Sequence, residues 1–387
     1  MNRKQLIWIA LMCAIAAILA ALLLWRQPAA PERDTALWVY QLVVPHGSPS
    51  AFTNPLVLDR DGRLAFRLGL LTSGHTGLPV VVVGNRIVGG AGKTPATIAL
   101  IQHLRDLGWH PGVLTRGYRR DAASQSELTL LDQHTVSQLG VEQVGDEPML
   151  IWRRSQAPMM IGRNRVQAGK ALKESHPDID ILICDDGLQH LRLHRDIEVV
   201  VFDERGAGNG WLLPAGPLRE PLSPAALDGL ACDPIVLYNA SKPSTGLAGY
   251  GSSRKLGSFI PLAEWWRPSH TSSGRSAAAS PPHEEEVWAV AGIAHPPKFF
   301  NQLTQLGFRV HGVACPDHTD FADLPWPATV QHLIVTEKDA IKLQPARMAA
   351  ERPMTQIWVA TLDLEPDSRF WQALDSALAR LPRRTHH

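Results

Sequence analysis

The stretch that constrains this chain most runs from Leu78 to Leu104, LPVVVVGNRIVGGAGKTPATIALIQHL. Pro79 to Val83 is a continuous apolar, β-branched run closed by Gly84, the pattern of a strand buried on both faces of a parallel sheet. Gly89, Gly90, Ala91, Gly92, Lys93 and Thr94 follow, and Ile98, Leu100, Ile101 and Leu104 then recur at helical spacing. Strand, glycine-rich turn, Lys-Thr and helix together predict a phosphate-binding loop. Its glycines let backbone N–H groups turn inward around phosphate oxygens, and the helix N-terminus adds partial positive charge. In such a loop Lys93 reaches the β- and γ-phosphates and the Thr94 hydroxyl ligates Mg2+. The usual spacing places a glycine five residues before Gly92, where this chain has Ile87. An ordinary glycine-rich turn is the plainer alternative, but Gly-Lys-Thr between strand and helix is a much narrower pattern than glycine alone.

A chain of 387 residues has material for two domains with real cores. Its net charge of +1 implies no basic face, so general nucleic-acid binding is not expected. Cys13, Cys184, Cys232 and Cys315 show no C-x-x-C spacing, which argues against a zinc site or a disulfide framework and fits a reducing compartment. Leu6 to Trp25 carries no charge and is long enough to cross a bilayer core of ~30 Å. Residues 1–26 are therefore expected to be an anchor helix. A cleaved signal peptide is the rival, with Ala29 and Ala30 near a cleavage position, although the apolar run is long for one. Arg3 and Lys4 favour a cytoplasmic N-terminus, which would export the nucleotide-binding part. A helix inserted with its N-terminus outside, or lying along the interface, avoids that conflict, and both stay open.

Residues 27–62 read as a linker or membrane-proximal segment. Residues 63–240 read as the phosphate-loop domain. Within it, Pro111 to Thr115 is a short strand ending at Arg116, Tyr118 and Arg119, where arginines beside a phosphate loop suit an anionic substrate or, more blandly, form a solvated turn. Asp146 precedes Pro148 and the apolar Met149 to Trp152, so by itself it reads as a helix cap. Pro158 to Ile161 is a further strand, followed by Arg163, Asn164 and Arg165 and a helix through Leu172. Ile179 to Cys184 is an apolar strand ending in Asp185 and Asp186, the usual place for carboxylates that hold Mg2+ or its waters. Strands at 197–202 and 234–238 complete this domain, the second as its last strand. Residues 240–255 are rich in Gly and Ser, and 271–286 are low in complexity, so 241–286 reads as a linker with an insertion. From Val287 a second, smaller α/β domain is expected over 287–387, closing a cleft. The fold class is thus α/β, with a mostly parallel sheet and helices on both faces.

Taken in order, VVVGN, VGGAGKTP, LTRGYRR, VGDEPML, CDDGLQH, GNGWLLPAGPLREP, AVAGIAHPPKFF, PDHTDF and TEKDA resemble the tetraacyldisaccharide 4′-kinase family. The likeness covers most of the chain from Arg63 onward. It departs at Arg86-Ile87, at Cys184 and over the residues before Arg63. The resemblance implies a P-loop core, ATP and Mg2+ as cofactors, and attachment to the cytoplasmic face of the inner membrane. It implies transfer of phosphate from ATP to the 4′-hydroxyl of an acylated glucosamine disaccharide 1-phosphate, giving lipid IVA, with no obligate protein partner. It carries Asp146 over as the catalytic carboxylate and His318 as its assistant, and adds Glu220 to Asp185, Asp186 and Thr94 as metal-site residues. Arg116, Tyr118, Arg119, Arg165 and Arg219 become candidates for the substrate's phosphate or for the transferred group.

Two other readings compete. A GTP-dependent metallochaperone would need a guanine-reading Asn/Thr-Lys-x-Asp motif, and Thr336-Glu337-Lys338-Asp339 has the composition in the wrong order. A membrane-tethered nucleotide-binding regulator without turnover rests only on Ile87 and the N-terminal segment.

Overall fold

The computed structural model describes residues 66, 71–117, 120, 128–222, 233–240, 242–267, 280–282 and 285–383. The expected anchor (1–26), the linker 27–62, Tyr118, Arg119 and residues 271–279 lie outside the described residues. Among the described residues no helix is long and apolar enough to cross a membrane. The described residues of 66–212 and 217–383 belong to one compact unit.

The strands of that unit are β1 (Val80–Gly84), β2 (Pro111–Thr115), β3 (Thr129–Leu131), β4 (Met159–Ile161), β5 (Ile181–Asp185) and β6 (Ile197–Asp203). After them come β7 (Ile235–Asn239), β8 (Tyr250–Pro261), β9 (Glu286–Ala291), β10 (Arg309–Ala314), β11 (His332–Thr336) and β12 (Gln356–Pro366). Interleaved are helices α1 (Lys93–Asp106), α2 (Val141–Val144), α3 (Asp146–Ser155), α4 (Arg165–Ser175) and α5 (Leu262–Trp265). The later helices are α6 (Pro296–Gln305), α7 (Glu337–Ala340), α8 (Pro345–Glu351) and α9 (Ser368–Leu378). All twelve strands join one sheet in the order β10-β9-β11-β12-β8-β7-β6-β1-β5-β2-β4-β3. Among the described strands, only the β12–β8 and β3–β4 pairs are antiparallel.

β1 lies between β5 and β6, and every one of its residues is buried, as its unbroken valine run requires. Alternate side chains serve opposite faces. Val81 and Val83 pack with Leu100, Ile101 and Leu104 of α1 and with Ile151 and Trp152 of α3. Val80 and Val82 pack instead with Ala168 and Leu172 of α4 and with Leu188 and Leu193. Helices therefore cover both faces, and the phosphate loop leaves the carboxyl end of a central strand.

The stretch read as a linker holds a surprise. β8 runs through it for twelve residues, pairing parallel with β7 and antiparallel with β12, and so joins the strands on either side into one sheet. Consequently β7 is not the last strand before a boundary. The sequence YGSSRKLGSFIP hides this because glycines and serines fall on both sides of the strand, with Gly251, Ser253 and Lys255 exposed and Ser252, Gly257 and Ser258 half-buried, so no apolar alternation marks it. The short edge strand β3 was equally illegible.

Candidate active site

The phosphate loop is braced from several sides. Gly92 takes a left-handed φ of 90° and caps α1, with no side chain on the helix's first N–H groups and no acidic residue in the first turn. Those donors are left for an anion. Lys93 Nζ donates to Asn85 Oδ1 at 3.2 Å and lies 3.5 Å from Asp186 Oδ1. Asn85 Nδ2 donates to Gly89 O at 3.1 Å, and Arg205, paired to Asp203, donates to Val88 O at 3.2 Å. From the sheet, Asn239 Nδ2 donates to Ala91 O at 3.0 Å, while its Oδ1 accepts from Arg254 Nε on β8. Ile87 is fully buried and forms an antiparallel bridge with Leu218, flanked by Val88 N donating to Pro217 O at 2.8 Å. The residue that departs from the usual glycine is thus a core side chain in extended backbone, upstream of the turn itself.

The acidic strand end lies beside Lys93. Asp185, at the end of β5, accepts from Thr97 Oγ1 at 2.9 Å and is buried. Burial, with the charges of Glu147 and Asp186, pushes its carboxyl up to about 7 against the opposing effects of Lys93 and Thr97. Asp186, at φ 48°, receives Arg219 Nη1 at 3.1 Å. Such crowding of carboxylates against one lysine is chemistry that suits a divalent cation held by Thr94, Asp185 and Asp186. Glu220 is engaged elsewhere, 3.2 Å from Arg86 Nε. Among the described residues, no three His, Cys, Asp or Glu side chains are gathered as a metal cluster, so Asp185, Asp186 and Glu220 do not converge as the resemblance implied.

Arg116 and Arg165 share the surroundings of His190. Burial, together with the charges of Arg165, Arg195, Arg192 and Arg116, pushes that imidazole down to about 4. An anion entering here would meet only cationic or neutral groups among these five. Arg219 belongs instead to the Asp186 corner.

Asp146 begins α3, yet it is not the cap. Gly145, at φ 95°, takes the N-cap position, and no side-chain cap bond forms. The Asp146 side chain turns away to chain segments far along the sequence. His318 Nδ1 donates to Asp146 Oδ2 at 3.0 Å, and Lys342 Nζ lies 3.1 Å from the same oxygen. Burial pushes this carboxyl up, but the His318 hydrogen bond and the Lys342 charge outweigh it and hold it below the usual carboxylate range. Asp146 is therefore ionised at neutral pH and able to accept a proton. Its neighbour Glu147 is close enough to Asp185 to raise it, which links this carboxylate to the phosphate-loop corner.

Lys342, Glu147, Asn239 and Arg254 were not singled out from sequence. For Lys342 a signal existed, since Lys338 and Lys342 stand four apart in and after TEKDA and so share one helical face. For Arg254 none did, because its strand was unrecognised.

The sequence model of a family described as tetraacyldisaccharide-1-P 4′-kinase matches residues 56–379. The tetraacyldisaccharide 4′-kinase of Methylibium petroleiphilum is 51% identical over 320 residues, covering 82% of this chain and 86% of that protein. That of Leptothrix cholodnii is 47% identical over 325 residues, covering 83% and 88%. Among solved structures, LpxK from Aquifex aeolicus in complex with ATP is similar at a TM-score of 0.65 and 24% identity, covering 82% of this chain and 93% of that one.

Proposed function

This chain belongs to the tetraacyldisaccharide-1-P 4′-kinase family, and we propose on that premise that it transfers the γ-phosphate of ATP to the 4′-hydroxyl of an acylated glucosamine disaccharide 1-phosphate. The observation that carries this reading is the contact of His318 with Asp146, which are 172 positions apart. A sugar hydroxyl is a poor nucleophile, and a positioned, ionised carboxylate accepts its proton as the bond to phosphorus forms. His318 orients that carboxylate.

Lys93 and the amides of Gly89, Gly90, Ala91, Gly92 and Thr94 hold the nucleotide's phosphates. Thr94, Asp185 and Asp186 would hold Mg2+, which neutralises phosphate charge when bound. Positioning and charge stabilisation supply the catalysis, as a loose phosphoryl transition state requires. Arg116 and Arg165, around neutral His190, suit the phosphate the disaccharide already carries, and Arg219 suits the transferred group. The N-terminal apolar run anchors the chain to the cytoplasmic face of the inner membrane, where such a lipid resides.

Phosphate transfer from ATP to the acylated disaccharide tests the reading, with Asp146→Asn as the decisive variant. Turnover should fall on the order of 10²–10⁴-fold while ATP affinity and melting temperature stay within error. Undiminished turnover in that variant would sink the base assignment, and no transfer by the wild-type chain would sink the activity.

A further inference from the structure

His318 and Lys342 both contact Asp146, and Lys338, which lies against the far side of His318, comes from the same short segment as Lys342. α7 and the turn after it stay helical, with Ile341 N donating to Glu337 O at 3.3 Å and Lys342 N to Asp339 O at 2.9 Å. Lys338 and Lys342 therefore project from one side, a turn apart. The segment is fixed to its surroundings at several points. Thr336 Oγ1 donates to Asp339 Oδ2 at 2.6 Å, and Gly292 N lies 3.2 Å from both oxygens of the same buried carboxylate. Gly292 O in turn accepts from His318 N at 3.2 Å. Buried Glu337 receives Arg154 Nη1 at 2.7 Å and Leu362 N at 3.0 Å. Since Arg154 lies in the last turn of α3, whose first residue is Asp146, one segment grips that helix at both ends.

The two lysines face the catalytic pair in different ways. Lys342 has a side chain only 7% exposed, and among the described residues its one ion pair is with Asp146 Oδ2. Lys338 Nζ lies 3.3 Å from His318 Nε2 and 3.0 Å from Asp317 Oδ1. An ammonium can only donate. His318 Nε2 must then present its lone pair, so the proton of a neutral ring sits on Nδ1, the nitrogen facing Asp146. With both His318 and Lys342 on Oδ2, Asp146 Oδ1 is left without a protein partner among the described residues.

We propose that Lys342 and Lys338 are positioning residues of the transfer site, clamping the Asp146–His318 pair so that Asp146 Oδ1 alone receives the proton of the attacking hydroxyl. This rests on the reading of Asp146 as the base. A buried ion pair is a poor source of stability, because desolvation offsets the attraction. The placement of Lys342 therefore serves the geometry and ionisation of the carboxylate. The groups facing Asp146 are His318, from the loop after β10, and Lys342, from the turn after α7. Lys338, Asp317 and Asp339 stand behind them, and Glu147 follows on Asp146's own helix.

The test is steady-state kinetics of the full chain against pH, for wild type, Lys342→Met, Lys342→Arg and Lys338→Met. In Lys342→Met, kcat should fall at least about tenfold through misplacement of the base, with both KM values within about twofold. The acid limb of the kcat/KM profile should move up by roughly one pH unit, because a nearby positive charge is lost. Lys342→Arg, which keeps the charge, should return the limb toward its wild-type position. Lys338→Met, at a partly exposed site where folding is not at stake, should lower kcat severalfold without moving either KM. In an Asp146→Asn background, Lys342→Met should cost little more, since its target is already gone. Wild-type kcat and an unmoved acid limb in Lys342→Met overturn the proposal, as does wild-type kcat in Lys338→Met or a full multiplicative loss in the double variant. Wild-type turnover in Asp146→Asn alone would instead remove the base reading beneath it.

Discussion

Asp185 offers a perturbation whose size follows from its surroundings. Its carboxyl is pushed from an ordinary 3.8 to about 7 by burial and by Glu147 and Asp186. The folded chain therefore holds this proton more tightly than the unfolded chain does. Between pH 4 and 7 the folded state binds more protons, so stability falls as pH rises through that window and is level on either side. The gap is about 3 pH units, and at 1.36 kcal/mol per unit it amounts to about 4 kcal/mol by pH 8. Asp185→Asn keeps an oxygen to accept from Thr97 Oγ1 and removes the charge. Urea unfolding of both chains from pH 4.5 to 8.5, without divalent cations, isolates this contribution. Groups outside this cluster, including His190 at about 4, titrate equally in both and cancel in the difference. The variant should gain on the wild type as pH rises to about 7 and hold level above it, by up to about 4 kcal/mol in all. Added Mg2+ should narrow the gap at pH 8 if Asp185 helps to hold it. A difference that stays constant within about 1 kcal/mol from pH 5 to 8 would refute a carboxyl that titrates near neutrality.

Gly92→Ala should weaken ATP binding at least about tenfold, because φ 90° disfavours any Cβ and the new methyl would overlap Asn239 Nδ2 and come within 2.7 Å of Arg254 Nη2. Calorimetric titration that gives wild-type affinity would show that the loop does not need this conformation. Deletion of residues 1–26 should release the protein from membranes in a flotation assay, since that run is long enough for an anchor. Full membrane retention after the deletion would assign attachment to another surface.

What the sequence determined is the local part of this protein. A buried strand announces itself by an unbroken valine run, an amphipathic helix by its 3.6-residue spacing, and the phosphate loop by glycines that no other residue replaces at φ 90°. These signals are written in neighbouring residues, so Val80–Gly84, the loop and Lys93–Asp106 were all legible. Tertiary structure decided what depends on separation. β8 reads as a linker until β7 and β12 pair with it, because hydrogen bonds to partner strands, and not side-chain pattern, make its serines and glycines a strand. Ile87 looks like a defect in the motif until Leu218 arrives to pair with it. Asp146 has the sequence of a helix cap, and only the sheet order that brings the loop after β10 and the turn after α7 against α3 gives it His318 and Lys342. The ionisation of a carboxylate depends on charges and burial within a few ångströms, and in a folded chain those are set by segments that can lie 172 or 196 positions away.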